Sequence, residues 1–463
     1  MKMTFNTKRW TAIASVVVAT ALAPGTAQLA TATPGEPAWQ VRSGSVSGWS
    51  DGVASRGVVY AAAARSGLHG YDIHVTARDA QTGIAIWSST VDGVTNDDDF
   101  NPVLAVEPET DRLLVTFESM TGVAEFASDI SVAGLSVTDG RPLWLARYAG
   151  PNENGSDVPR DMTLAVDGSV AYVTGQSLTR SRGDDVVTFA IDASSGQRLW
   201  ATLRGGRAGD AGYAIAISGE NVYVAGSNEV EADVDDMATF AFRADDGRPL
   251  WSRRFGLTGT FLTEIAHDVA VSRDASMLYV TGQSASPRTG SSGMTTLAYR
   301  SDSGELMWSR RSHAPGSVFG RGCCVRILDG VVYSTGYAQV DRPAGVVLAY
   351  HAISGETQWR TGISTAGTDA TLVPRTGVLY VTGAAYGDPV GGFFTQDIGT
   401  AAVQIRSGAV VWERAYDGPG DDAMGTDYDV GNAIAVAGSH VVSVGTSNSA
   451  IGLGQGFLIA YHQ

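Results

Sequence analysis

Apolar and polar positions in this chain fall into a pattern that returns about every fifty residues. One half is a run such as AYVTGQS at 171, NVYVAGSN at 221, LYVTGQS at 278, VVYSTGYA at 331 and VLYVTGAA at 378. The other half is a hairpin closed by Trp: ARDAQTGIAIW at 77–87, AIDASSGQRLW at 190–200, AFRADDGRPLW at 241–251, AYRSDSGELMW at 298–308 and AYHAISGETQW at 349–359. GLSVTDGRPLW at 134–144 and AVQIRSGAVVW at 402–412 are weaker copies that keep Gly and Trp. Val, Tyr and Thr with punctuating Gly predict short strands, and the units lack the 3.6-residue spacing of an amphipathic helix. Gly196 and its equivalents supply the positive φ of a short turn with a bulge, and the Asp or Ser before it accepts backbone N–H bonds. The small Ala at the head of the motif leaves room for the Trp.

The Trp residues of these seven copies, at 87, 144, 200, 251, 308, 359 and 412, are separated by 51 to 57 residues. Units of that length, each a four-stranded antiparallel sheet that buries its faces against its neighbours, predict an all-β chain folded as a β-propeller. A β-helix needs far shorter coils. Ala460-Tyr461-His462-Gln463 opens a further motif and stops, while Gly35-Glu36-Pro37-Ala38-Trp39 supplies the missing Gly-x-x-x-Trp. The reading is therefore an eight-bladed propeller of four-stranded blades, with one blade split between the two ends of the chain. Seven blades remain an alternative if Ser43 to Phe126 makes fewer than two complete sheets. Two smaller domains would need a linker, and none is seen.

Composition agrees with a folded, turn-rich protein: 44% hydrophobic, 17% charged and 57 glycines in 463 residues. The net charge of -16 excludes a broad phosphate-tracking surface, so neither nucleic acid nor an anionic membrane is expected as partner. Lys2, Lys8 and Arg9 precede an apolar run from Thr11 to Ala23, and Ala30-Thr31-Ala32 offers a small-x-small cleavage site. This reads as a secretory signal peptide over residues 1–32, followed by a single propeller domain over 33–463. The run is too short to span a bilayer, so a secreted protein with no anchor after cleavage is expected, as a monomer. Cleavage would remove three positive charges, taking -16 to -19, and leaves no lysine. Schiff-base chemistry and a lysine general base are thereby excluded within the mature chain.

The Ala-x-Asp-x-x-x-Gly-x-x-x-Trp spacing, complete at 77–87 and 190–200 and partial elsewhere, resembles the tryptophan-docking motif of the quinoprotein alcohol dehydrogenase-like propellers, the PQQ-like repeat superfamily. The resemblance covers nearly all of the mature chain and implies an eight-bladed ring locked by Trp39, Trp87, Trp144, Trp200, Trp251, Trp308, Trp359 and Trp412. It does not fix an activity. Enzymes of the superfamily hold pyrroloquinoline quinone and calcium on the axis and oxidise alcohols or aldose sugars, whereas other members are non-catalytic scaffolds that bind proteins. Cys323 and Cys324, adjacent and the only cysteines, resemble the pair that forms a ring-like disulfide against the quinone in the enzymes. Against that bond, neighbouring Cα atoms stand about 3.8 Å apart, closer than disulfides prefer, and strand neighbours point to opposite faces. No match is found to the calcium-binding Glu and Asn segments, to the catalytic Asp segment, or to a haem-attaching Cys-x-x-Cys-His.

Aligning the first strand of each blade puts Ser50, Pro102, Met162, Tyr213, His267, Cys323, Asp369 and Asn432 in one column at the channel, with Asp51, Asp268 and Cys324 one position along. In this column His267 and Asp369 are the candidate catalytic residues, with His267 as an acid or base near neutrality. Cys323, Cys324 and Asn432 are the candidate cofactor contacts, and Asp369 with Asn432 the candidate ligands of a hard cation. Water-filled channels are lined by polar residues in any case. Asp97, Asp98 and Asp99, and Asp421, Asp422, Asp427 and Asp429, form acidic loops without the ligand order of an EF-hand, and read as solvated charge. Gly452-x-Gly454-x-Gly456 precedes a strand and no helix, which excludes a dinucleotide loop. The chain carries no nucleophile elbow and no zinc-protease helix. The expected function is a secreted, non-catalytic propeller that binds a protein, glycan or small ligand without a cofactor. The alternative is a divergent dehydrogenase using pyrroloquinoline quinone and calcium.

Overall fold

The computed structural model describes residues 33–463 except 44–49, 68–69, 96, 107–110, 125, 181–182, 207–208, 232–233, 257–263, 286–290, 313–318, 340–342, 391–392, 419–427 and 449–453. The expected leader, Asp421, Asp422, Asp427 and Gly452 lie outside the described residues. Pro34–Gln463 is one compact unit, and the described residues contain strands and no helix.

Blade 1 is β2 (Asp51–Ser55), β3 (Val58–Ser66), β4 (Tyr71–Asp79) and β5 (Ala85–Val91); blade 2 is β6 (Asp99–Val106), β7 (Arg112–Met120), β8 (Ser128–Ser136) and β9 (Pro142–Tyr148). Blade 3 is β10 (Asp157–Leu164), β11 (Val170–Thr179), β12 (Gly183–Asp192) and β13 (Arg198–Arg204); blade 4 is β14 (Ala211–Ser218), β15 (Asn221–Glu231), β16 (Val234–Arg243) and β17 (Pro249–Phe255). Blade 5 is β18 (Ile265–Val271), β19 (Met277–Ala285), β20 (Ser292–Arg300) and β21 (Leu306–Ser312); blade 6 is β22 (Phe319–Leu328), β23 (Val331–Gln339), β24 (Pro343–His351) and β25 (Thr357–Ile363). Blade 7 is β26 (Thr365–Val373), β27 (Val378–Val390), β28 (Phe393–Gln404) and β29 (Val410–Tyr416). Blade 8 is β30 (Tyr428–Ala437), β31 (His440–Asn448) and β32 (Gly454–His462), completed by β1 (Pro37–Ser43) from the other end of the chain. β1 runs antiparallel to β32 from Pro37 opposite Tyr461 to Ser43 opposite Gly456, so the split blade is present. All eight sheets are antiparallel meanders. Parallel bridges join neighbouring blades at two places among the described residues, Gln396 to Tyr428 between blades 7 and 8 and Ser128 to Ser156 between blades 2 and 3.

Each seam between blades holds its own apolar cluster, which explains why the middle strands read as continuous apolar runs and not as alternation. In β19, Leu278 and Val280 enter the seam with blade 4, and Tyr279 enters the seam with blade 6. The seam between blades 8 and 1 is built from small side chains, Ala61, Ala63, Ala433, Ala437 and Ala460 among them, and closes the ring.

The tryptophans carry the registration from blade to blade. Each lies on the hairpin glycine of the next blade: Trp39 on Gly83, Trp87 on Gly140, Trp144 on Gly196, Trp200 on Gly247, Trp251 on Gly304, Trp308 on Gly355, Trp359 on Gly408 and Trp412 on Gly35. Gly196 shows why no other residue serves: its φ is +74°, and a Cβ there would stand 2.5 Å from the Trp144 ring. In the seven pairs from Trp39 to Trp359 the indole N–H donates to a carbonyl three residues before that glycine, as from Trp87 to Val137 at 2.8 Å and from Trp308 to Ala352 at 2.8 Å. Within its own blade the Trp sits opposite the motif Ala, as Trp200 opposite Ala190, and against the Tyr of the second strand, with Tyr172–Trp200 centroids 6.1 Å apart. Asp192 closes its turn by accepting the Ser194 and Ser195 N–H groups at 3.0 and 2.9 Å.

A second docking position, two residues past the Trp, was not foreseen. Arg253 Nε donates to Gly304 O at 2.8 Å and Arg310 Nε to Gly355 O at 2.6 Å, and both guanidinium groups lie over the Trp of their own strand. Thr202 and Thr361 reach Gly247 O and Gly408 O at the same position.

Candidate functional site: the axial channel

The innermost strands of all eight blades line one channel of about 850 Å³. Seven of these strands carry a break in register near the channel mouth; in blades 3 to 8 one residue is unpaired: Arg160, Tyr213, His267, Cys323, Thr368 and Asn432. In blade 2 the break holds Asn101 and Pro102. A bulge of this kind turns an extra side chain toward the rim. The expected column is correct at Pro102, Tyr213, His267, Cys323 and Asn432 and displaced at two places. Arg160 takes the position assigned to Met162, which is buried between blades 2 and 3, and Thr368 takes the position assigned to Asp369.

Asp369 belongs to the next level, and this level has its own order. Asp51, Asp161, Asp268 and Asp369 occupy it in blades 1, 3, 5 and 7, while Val103, Ala214, Cys324 and Ala433 occupy it in the blades between. Each of the four carboxylates accepts the next backbone N–H of its own strand and one from the following blade. Asp51 takes Gly52 and Leu104 at 2.7 Å each; Asp161 takes Met162 at 2.8 Å and Ile215 at 2.9 Å. Asp268 takes Val269 and Val325 at 2.8 Å each; Asp369 takes Ala370 at 2.7 Å and Ile434 at 2.9 Å. They are clamps across alternate seams.

Arg326 crosses the channel wall between two of them, with Nη1 2.6 Å from Asp268 Oδ2 and Nη2 3.4 Å from Asp369 Oδ1. Burial opposes its charge, but the two carboxylates outweigh burial and raise its pKa further. Among the described residues, no arginine bridges Asp51 or Asp161 in this way. Burial pushes Asp51 up to about 6 and Asp161 up to about 7, against the pull of the N–H groups each accepts. Asp369 is also raised, by burial first, with Arg326 opposing.

A recess of about 230 Å³ beside the mouth is lined by Tyr213, His267, Arg321, Cys323 and Tyr337. Arg321 Nη2 stands 3.2 Å from His267 Nδ1 and donates to it, which leaves the ring proton on Nε2. Burial, and then the charge of Arg321, push the His267 pKa down to about 3, so this imidazole is neutral at physiological pH. Cys323 and Cys324 do not diverge as strand neighbours should: the bulge at Cys323 brings their sulfurs to 2.6 Å from each other. Burial, and then the neighbouring Cys323, raise the pKa of Cys324. Asn432 donates its amide to Thr446 at 3.0 Å. Ser50 lines the channel beside Asp51.

Of the acidic residues near the faces, Asp99 is 1% exposed and accepts Gly93 N at 2.7 Å and Ser119 Oγ at 2.6 Å, so it is a loop anchor and not solvated charge. Asp429, buried, takes Gly418 N in the same way. Asp161, Arg160, Arg321 and Arg326 were not singled out from sequence. The available signal was the recurrence of Asp before an apolar residue in alternate blades, at Asp161-Met162, Asp268-Val269 and Asp369-Ala370.

The family profile described as outer membrane protein assembly factor BamB matches residues 23–239 and again 237–457. The chain belongs to this PQQ-repeat family. The two adjoining matches take in all eight blades, and the superfamily expected from the Trp spacing is the one found. Among solved structures, a europium-containing methanol dehydrogenase superposes with a TM-score of 0.56 at 11% identity, covering 92% of this chain and 93% of that one. The quinohemoprotein alcohol dehydrogenase of Comamonas testosteroni superposes with a TM-score of 0.54 at 11% identity, over 92% of this chain and 76% of that one. At these identities the likeness to both carries the fold alone. No curated protein sequence matches the chain.

Proposed function

We propose that the protein is a secreted PQQ-repeat propeller acting as a non-catalytic binding or scaffold module for a protein, glycan or small ligand. The observation that carries this reading is the commitment of the channel's charges to the ring itself. Four axial carboxylates hold backbone N–H groups across alternate seams, and Arg326 is shared by two of them. Pyrroloquinoline quinone is a tricarboxylate and calls for cations and a hard metal beside it. Arg160 reaches Gln176 at 2.9 Å and lies over Tyr213, Arg326 is held by Asp268 and Asp369, and the facing wall adds Asp51 and Asp161. Asp369 and Asn432, the expected cation ligands, face Arg326 and Thr446. This arrangement favours the binding reading over a quinone site.

A second reading, a divergent alcohol or aldose dehydrogenase dependent on the quinone and calcium, is favoured by one observation, the pair of sulfurs 2.6 Å apart on the channel wall. The two readings separate in one experiment. The purified protein is titrated with pyrroloquinoline quinone and calcium while tryptophan fluorescence is followed, and dye-linked oxidation of simple alcohols and aldoses is then assayed. The binding reading expects no saturable quenching at micromolar quinone and no turnover. Calcium-dependent quenching with turnover that Cys323→Ser impairs would overturn it.

A further inference from the structure

The rim of blades 1 and 2 exposes apolar side chains on two neighbouring connections, apart from the pairs such as Ile84 with Ile86 and Val410 with Val411 that lie on or beside outermost strands. Val123 and Phe126, in the connection between β7 and β8, are 63% and 75% exposed, and Val94, in the connection between β5 and β6, is 46% exposed. The two connections lie against each other: Thr95 Oγ1 donates to Met120 O, and a Cβ on Gly122 would stand 3.1 Å from Asp97 Oδ2. Behind them the half-buried rings of Tyr71 and Phe100 pack 5.6 Å apart, and Tyr71 N donates to Asp98 Oδ1 at 2.8 Å. Apolar groups exposed side by side on such a framework mark a contact surface more than scattered ones do.

The charge around this patch selects its occupant. Asp72, Asp92, Asp97, Asp98 and Glu118 stand at this end of blades 1 and 2. Against them, among the described residues at this same end of the two blades, stand Arg65, opposite Asp72 in the ladder, and Arg147, which Asp129 already holds; Arg56, Arg78, Arg112 and Arg141 lie toward the other end. His74 adds no charge, since burial pushes its pKa down to about 4. A second copy of this chain, at a net charge of -16, and an anionic lipid surface would both be repelled. We infer that the rim patch of Val94, Val123 and Phe126 docks a basic segment of another protein, whose apolar side chains cover the patch and whose cations meet Asp92, Asp97 and Asp98. The inference rests on the binding reading above and names the class of partner.

The test uses a synthetic peptide of alternating Lys and Leu as probe, followed by fluorescence anisotropy on the whole protein. A Lys/Ser peptide of equal charge and a Glu/Leu peptide of reversed charge are the controls. The Lys/Leu peptide is expected to bind at least about tenfold more tightly than either control, and to weaken as salt rises because the Debye length shortens. Val123→Ser with Phe126→Ser, and separately Asp97→Asn with Asp98→Asn, should each weaken it about tenfold or more. Both pairs lie at exposed or rim positions, and unchanged thermal midpoints would show that the variants fold. Equal affinity for the Glu/Leu peptide, undiminished binding by either variant, or vesicle binding or dimerisation that depends on Phe126 would overturn the assignment. Peptide binding that ignores both variants would sink the patch and spare the binding reading, whereas quinone turnover would sink both.

Discussion

Replacing Gly355 and Gly330 by alanine, one at a time, measures what the Trp–Gly docking contributes. Both glycines lie in hairpins at positive φ, +66° and +77°, so alanine carries a similar backbone cost at each, about 1 kcal/mol. Their surroundings differ. A Cβ on Gly330 meets nothing within 4 Å, whereas one on Gly355 would stand 2.6 Å from Trp308 Cδ2 and must push the indole away. Trp308 then loses its 2.8 Å bond to Ala352 O, worth about 1 kcal/mol, and part of its packing against Tyr279 and Tyr350, about another 1–2 kcal/mol. Gly330→Ala should therefore cost about 1 kcal/mol and Gly355→Ala about 3–4 kcal/mol. With an unfolding entropy of about 2.1 cal/mol/K per residue, on the order of 0.9 kcal/mol/K for the whole ring, these become Tm losses of about 1 °C and about 3–4 °C. Differential scanning calorimetry on the two variants resolves the gap. Equal losses would refute the claim that the tryptophan dock adds stability beyond the turn.

Arg310→Ala removes two bonds to the hairpin of blade 6 and the guanidinium over Trp308, and should lower the urea midpoint by an amount equivalent to about 1–2 kcal/mol; an unchanged midpoint would show the second docking position to be idle. Asp99, Asp157 and Asp210 are buried and have pKas pushed up, by burial first, to about 7, 6 and 6. The native state therefore holds their protons more tightly than the unfolded chain does, so these carboxyls push Tm down as pH rises from about 4 to about 7, against the opposite contribution of His74 and His267, whose pKas are pushed down. Asp99→Asn keeps an acceptor for Gly93 and offers a donor to Ser119, and should flatten part of that fall; a Tm profile parallel to that of the unaltered protein would contradict the burial argument. Cys324 is 2% exposed with a raised pKa, while Cys323 faces the recess, so in the native protein iodoacetamide should modify Cys323 and spare Cys324, as read by peptide mass; equal labelling would contradict the placement.

The ring was legible because its lock repeats residue for residue. A glycine that must take positive φ and a tryptophan that must cover it cannot be exchanged freely, so all eight copies survive, and even the split pair of Gly35 and Trp39 is recognisable. The position two residues past each tryptophan was not legible, because arginine and threonine both satisfy the same hairpin carbonyl. The channel was half legible for a different reason. A bulge adds one residue to a strand and shifts the alternation that an alignment on apolar positions assumes, which moved Asp369 up a level and put Met162 where Arg160 belongs. The same bulge lets Cys323 and Cys324 face each other, against the rule that strand neighbours diverge. That the axial aspartates occur in alternate blades only becomes visible once the level is set correctly.

If the channel's charges belong to the seams, a quinone finds no site among them. A thermal-shift measurement on the whole protein, with and without pyrroloquinoline quinone and calcium chloride, tests this most directly. A ligand held at about one hundred times its Kd stabilises the native state by about 2.7 kcal/mol, which for a ring of this size is a rise of about 3 °C. The account predicts no shift. A saturable, calcium-dependent rise that Cys323→Ser abolishes would contradict it and make the channel a cofactor site.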